Sequence, residues 1–115
     1  MIIGHMAQLI FTIKDRPTFE MIKKKGLFIK SQNLNMQVLL NQNLNKSIGI
    51  GFTATKRIGN AIKRNKAKRI MRELSKKIII NGKINSYYVL IAKPSLLSTP
   101  FEKLIIELKT KIDEI

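Results

Sequence analysis

The sequence contains no cysteine, and no stretch of it is long and apolar enough to span a bilayer. Without cysteine the chain can form neither a disulfide nor a thiolate metal site, which is consistent with a reducing compartment. We therefore expect a cytoplasmic location. The missing apolar run leads us to expect no membrane partner.

Side chains that could carry out catalysis are equally scarce. The one histidine, His5, lies in residues 1–6, which we interpret as a leader or cloning remnant, so the serines and threonines have no histidine to activate them. The seven acids are not spaced as in a metal-dependent nuclease, and we expect most of them on helix ends or solvent-exposed faces. We predict no catalytic residue and no metal site, so any reaction must use groups supplied by another molecule.

Positive charge, in contrast, is abundant. Lysine and arginine number 22 against seven acids, which gives a net charge of +15 on 115 residues. Hydrophobic residues make up 44% of the chain, which argues for a folded protein, and its length indicates a single domain over residues 7–115. Such a charge repels itself unless a polyanion neutralises it. Composition alone would also allow an acidic substrate or a membrane surface as the partner.

The cations are densest between Lys56 and Glu73, where the pattern predicts a helix over residues 60–75. Gly59 permits a tight turn, and Asn60 suits the helix cap. One face of this helix is apolar, formed by Ala67, Ile70, Met71, Leu74 and Ile78. Cations at the positive end of a helix dipole are well placed to hold phosphates, so we predict a nucleic-acid partner.

Two alternatives to this interpretation have to be weighed. A run of charge is often only a solvated helix face, but arginines at a glycine-asparagine helix entry favour phosphate binding. A helix-turn-helix DNA reader would need another helix directly before the basic one. The preceding segment, Ser47–Thr55, alternates like a strand instead, so we expect no DNA partner.

The remaining pattern predicts the order α-β-β-α-β-α, an α+β sandwich with helices against one sheet. One face of the strand Ser47–Thr55 carries nothing larger than threonine, which would suit either a ligand or a closely packed helix. The other predicted features are a first helix capped by Asp15 or Thr18 and ending at Gly26, strands at Met36–Leu40 and Tyr87–Ala92, a turn at Asn81-Gly82, and a last helix with a Thr99 cap, Pro100 in its first position and Glu102 completing a capping box.

The segment from Gly51 to Arg69 resembles the signature of the bacterial ribonuclease P protein subunit, in which a strand leads through a basic Gly-Asn-Ala turn into an Arg-Asn-Arg helix. Phe19, Gly26 and the Ile-Ala-Lys-Pro at residues 91–94 extend the resemblance over nearly the whole chain. It implies a small two-layer sandwich of order αβββαβα with a left-handed crossover. The extra strand would lie around Phe28 to Asn33.

The resemblance also implies a function. The protein would bind a catalytic RNA subunit and precursor tRNA, and would assist that endonuclease RNA in removing 5′ leaders. The RNA would perform the hydrolysis with Mg²⁺ held mainly by the RNA subunit and the substrate, without an organic cofactor. A structural RNA-binding protein of ribosomal type, with no role in cleavage, is the alternative.

Site residues follow from the same resemblance, position by position. Phe19, Phe52 and Thr53 would line a cleft for the leader. Three positions depart from the family pattern: Lys66 replaces the second arginine of the Arg-Asn-Arg motif, and Lys23 and Gln37 stand near places of cleft aromatics. Leader binding here would then depend more on charge and less on stacking. The residues expected to face RNA are Lys56, Arg57, Asn60, Arg64, Asn65, Lys66, Lys68, Arg69 and Arg72.

Overall fold

Residues 10–115 are described by a computed structural model, and they form five strands and three helices. Residues 1–6, interpreted above as a leader or cloning remnant, lie outside the described residues. Short 3₁₀ turns occupy Lys56–Ile58, Ile79–Asn81 and Pro94–Ser98. In chain order the elements are β1 (Ile10–Thr12), α1 (Arg16–Lys25), β2 (Leu27–Ile29), β3 (Leu34–Leu39), β4 (Ile48–Thr53), α2 (Ala61–Lys77), β5 (Ser86–Ala92) and α3 (Phe101–Asp113).

The strands form one mixed sheet in the order β1-β4-β5-β3-β2. β4 pairs in parallel with β1 and β5, whereas β3 is antiparallel to β5 and β2. The α+β class and the extra strand near Phe28 are confirmed. Helix α2 connects the parallel neighbours β4 and β5, and the left-handed sense of this crossover stays a prediction. β1 was not predicted, because three residues are too few to show an alternating pattern.

Helices cover both faces of the sheet. The larger core packs α2 and α3 against one face, where Met36, Tyr88 and Leu90 are buried. On the other face α1 contributes Ile22, which packs with Val89 and neighbours in a smaller cluster. The predicted sandwich therefore has a partial third layer, because α1 lies on the opposite face from the other two helices.

Helices α1 and α3 begin in different ways. Asp15 caps α1 as predicted: its carboxylate accepts from the Thr18 amide at 3.1 Å. The Thr18 hydroxyl also donates to this carboxylate and lowers the pKa of Asp15. The capping box predicted for α3 is wrong, since Thr99 Oγ1 lies 2.7 Å from Ser95 O and 3.1 Å from Asn33 Oδ1. The 3₁₀ turn and Asn33 thus engage this hydroxyl, and α3 begins after Pro100 without a side-chain cap.

Candidate nucleic-acid interface

The entry to α2 is built by a chain of local hydrogen bonds. Thr55 Oγ1 accepts from the Arg57 amide at 3.3 Å, and Asn60 Oδ1 caps α2 by accepting from the Lys63 amide at 2.9 Å. Between them Gly59 has φ of 135°, a backbone conformation that L side chains rarely adopt. Because its turn is held this firmly, the basic segment Lys56-Arg57 has a defined position beside the first turn of α2.

Arg64 differs from the other predicted RNA-binding residues in that it braces this turn. Its Nη1 donates to the Gly59 carbonyl oxygen at 3.1 Å, and the side chain is half-buried. The guanidinium group has further donors that this bond does not use. Arg64 therefore contributes to the geometry of the entry whether or not it also contacts a ligand.

The other predicted RNA-binding residues are all exposed along α2 and its entry. Ion pairs within residues 10–115 join Arg16 to Glu20, Lys76 to Glu73 and Lys109 to Asp113. No predicted RNA-binding residue takes part in these ion pairs, so no acid of the described residues neutralises these cations through an ion pair. The sequence reasoning missed Ile62, which is 78% exposed among these cations. We call the exposed residues Lys56, Arg57, Asn60, Asn65, Lys66, Lys68, Arg69 and Arg72 the cationic face.

A groove of about 620 Å³ adjoins the cationic face, between α1, the sheet and α2. The three predicted cleft residues, Phe19, Phe52 and Thr53, all line it, and Lys68 belongs both to it and to the cationic face. This groove is called the leader groove below. Its other lining residues are Arg16, Glu20, Lys23, Gln37, Ala54 and Ile91.

The position of Phe19 depends on the small residues of β4. A Cβ built on Gly51 would lie 2.6 Å from the Phe19 ring, so the ring rests directly on this glycine. The two interpretations of the small strand face therefore each apply to part of it. A side chain of α1 covers Gly51, and Thr53 at the end of the strand lines the groove.

Phe52 links the groove to the cationic face. The guanidinium carbon of Arg72 lies 5.6 Å from the centre of the Phe52 ring, within the range of a cation–π contact. This contact places a positive charge over the ring. Phe52 also packs against the main core, which fixes the position of its ring.

A second groove, of about 730 Å³, lies between α3 and residues 31–33. Glu107 is its centre: one oxygen accepts from the Asn33 amide at 2.8 Å and from the Ser31 hydroxyl, and the other from Asn33 Nδ2 at 2.7 Å. Burial raises the pKa of Glu107, but these hydrogen bonds outweigh it and lower the pKa overall. Glu107 is thus an exception to the expectation that the acids face solvent. We call this the α3 groove.

Two further properties bear on chemistry. Over residues 10–115 no three His, Cys, Asp or Glu side chains come together in a way that could hold a metal ion. In the same part of the chain, no helix is long and apolar enough to cross a membrane.

Comparison with known proteins gives a consistent result. A family model described as "Ribonuclease P" matches residues 11–115. The "Ribonuclease P protein component" of Nitratiruptor sp. is 34% identical over 103 residues, which cover 90% of this chain and 89% of the relative. The protein of the same name from Symbiobacterium thermophilum is 29% identical over 105 residues, covering 91% and 87% of the two chains.

Solved structures share the fold. The RNase P protein from Thermotoga maritima superimposes with a TM-score of 0.78 at 19% identity, covering 90% of this chain and 96% of that one. The RNase P protein from Staphylococcus aureus gives a TM-score of 0.75 at 23% identity, covering 90% and 93%. At such identities these matches establish the fold only.

Proposed function

This chain belongs to the bacterial ribonuclease P protein family, and from that membership we propose that its two adjoining surfaces bind two different RNA segments. It is the protein subunit of an endoribonuclease, and it assists the RNA subunit in the 5′ processing of precursor tRNA. A ribosomal-type structural role is set aside on this ground. RNase P RNA is accordingly its partner.

The cationic face binds the RNase P RNA. Its lysines and arginines are exposed, and within residues 10–115 none of them is paired with an acid. Asn60 and Gly59 fix the entry to α2, so the charges of the helix and those of Lys56 and Arg57 in the preceding 3₁₀ turn have defined positions relative to one another. A regular row of phosphates is the natural counterpart of such a surface.

The leader groove binds the single-stranded 5′ leader of the precursor tRNA. The observation that carries this proposal is that Phe19, Phe52 and Thr53 line one open groove, with Lys68 connecting it to the cationic face. Aromatic rings and cations together bind single strands without base pairing. Because Lys23 and Gln37 also line this groove, charge contributes more and stacking less, and we expect leader binding to weaken steeply with salt.

We infer that residues 10–115 supply no reactive group of their own at these surfaces. The acids of this part of the chain do not assemble into a metal site. We therefore assign Mg²⁺ to the RNA subunit and the substrate, where it would promote hydrolysis of the phosphodiester. The protein's part is to hold the RNA subunit and the leader in a fixed relation.

Cleavage of precursor tRNA at low Mg²⁺ tests the proposal. The reactions would contain the RNA subunit alone, the protein alone, and both together. We expect cleavage only with both, and we expect Phe19→Ala to lower the affinity of the holoenzyme for precursor tRNA but not for mature tRNA. Cleavage by the protein alone would contradict the assignment of chemistry to the RNA. An equal loss for both tRNAs would contradict the assignment of the groove.

A further inference from the structure

Phe28 is a large aromatic side chain that the proposed surfaces do not include. It lies in the edge strand β2, and 56% of it is exposed. Its direct antiparallel partner in β3 is Gln37, and directly paired residues project from the same face of a sheet. Gln37 lines the leader groove. Phe28 therefore lies on the groove face of the sheet.

The neighbours of Phe28 in β2 agree with this orientation. Ile29 pairs with Met36, and both pack in the main core on the opposite face. Leu27 pairs with Val38, which is also buried in that core. Because successive residues of a strand alternate between faces, Phe28 must point the other way.

The strand order places Phe28 next to the residues that line the groove. Thr53 on β4, Ile91 on β5 and Gln37 on β3 line it in the order of the sheet, and Phe28 on β2 is next. Neighbouring strands lie about 4.8 Å apart, so the path from β4 to β2 is about 14 Å long. Lys23 of α1 also lines the groove.

The charge around Phe28 favours RNA as the occupant. Lys23-Lys24-Lys25 precede β2 and Lys30 follows it, and all four are exposed. A second copy of the chain would bring a further charge of +15 against these lysines. A nucleobase would stack on the ring while its phosphates lie near the lysines.

We propose that Phe28 is a stacking site for a base of the 5′ leader and extends the leader groove to the edge of the sheet. The proposal rests on the leader assignment made above and adds a second, more distant contact. A leader must reach across β5 and β3 before it meets Phe28. The effect of Phe28 should therefore appear only above a threshold length of leader.

Fluorescence can test the contact directly, because the chain contains no tryptophan. Phe28→Trp would place a single reporter on the groove face, and Leu27→Trp, at a position 55% exposed, would place one on the other face. In the holoenzyme, we expect a long-leader precursor tRNA to change the emission of the Phe28→Trp protein, and mature tRNA to leave it unchanged. Equal responses from both reporters would overturn the proposal.

Affinity supplies the second test. We expect Phe28→Ala to weaken holoenzyme binding of a long-leader precursor about tenfold, to leave a short-leader precursor unaffected, and to be rescued by Phe28→Tyr. Leu27→Ala controls for any loss of β2 stability. If Phe19→Ala lowers leader affinity and Phe28→Ala does not, this proposal fails and the leader groove stands. If neither substitution distinguishes precursor from mature tRNA, both fail.

Discussion

The α3 groove and the leader groove are similar in size, about 730 and 620 Å³, but they differ in how far their polar groups bond to one another. In the α3 groove Glu107, Asn33 and Ser31 bond to one another across the chain. In the leader groove Arg16 pairs with Glu20, but Lys68 takes part in none of the ion pairs of residues 10–115, and the rings of Phe19 and Phe52 line the surface beside it. Size alone would favour the α3 groove over the leader groove. A lysine outside the ion pairs of the described residues, beside two aromatic rings, favours the leader groove as the binding surface.

Removing the charge of the cationic face should have the largest effect. We expect the triple substitution of Lys66, Lys68 and Arg69 by alanine to weaken binding of RNase P RNA about 100-fold or more at moderate salt, because every phosphate that loses its cation also ceases to release a counterion on binding. Titrations at several salt concentrations should show the log–log slope becoming shallower by about one for each such phosphate.

A matched control for this triple variant lies on α3. Alanine at Lys103, Lys109 and Lys111 removes the same formal charge from a different surface, two of these lysines lining the α3 groove. We expect a much smaller loss of affinity, arising only from the general field. Equal losses in the two triple variants would show that net charge, rather than the cationic face, determines binding.

In contrast to the triple variant of the cationic face, Glu107→Ala should lower the stability of the fold and change RNA binding little. It would leave the amide and side chain of Asn33 and the hydroxyl of Ser31 without their acceptor. We expect the free energy of unfolding to fall by about 2 kcal/mol, measured by urea denaturation. Glu102→Ala, at an exposed position in the same helix, should cost about 0.5 kcal/mol or less.

A smaller and more specific effect is expected at Gly51. An alanine methyl would lie 2.6 Å from the Phe19 ring and force it to move. We expect a roughly fivefold loss of affinity for precursor tRNA with no change for mature tRNA. The substitution changes the shape of the groove by moving the Phe19 ring, but it removes none of the side chains that line the groove.

Gly49 offers a control on the same strand face. A Cβ there would lie 2.6 Å from the Tyr87 ring, outside the leader groove. Gly51→Ala and Gly49→Ala should each lower the free energy of unfolding by about 1–3 kcal/mol, but Gly49→Ala should leave tRNA affinity unchanged. A comparable loss of precursor affinity in both variants would mean that stability, not the position of Phe19, is responsible.

The cationic face and the leader groove also differ from the α3 groove in how far the sequence could predict them. The cationic face could be predicted because its signals are local: Gly59, Asn60 and the apolar period of α2 all lie within one helix and its entry. The resemblance supplied Phe19 and β4 as parts of one cleft. Glu107 could not be placed in this way, because its partners lie 74 and 76 residues away along the chain.

The same limit explains two other differences. Thr99 followed by Pro100 and Glu102 has the local pattern of a helix cap, but Asn33, 66 residues away, lies at its hydroxyl. Phe28 could be predicted as part of a strand, but its face depends on the register with Gln37. Local patterns thus predict elements, and pairing between distant segments decides what those elements contact.

The smallest expected effect is a change of stability with pH. The α3 groove should respond to acid, whereas the leader groove should respond to salt. The folded protein holds the pKa of Glu107 below its ordinary value of about 4.3, so its hydrogen bonds stabilise the fold fully above that pH. As the pH falls through the lowered pKa, the carboxylate is protonated and this contribution is lost. The difference in urea midpoint between the natural protein and Glu107→Gln should therefore be constant near neutrality and narrow in acid. A difference that widened in acid would mean that the folded pKa is raised. The leader groove, by contrast, should respond to salt at neutral pH, where the α3 groove does not change.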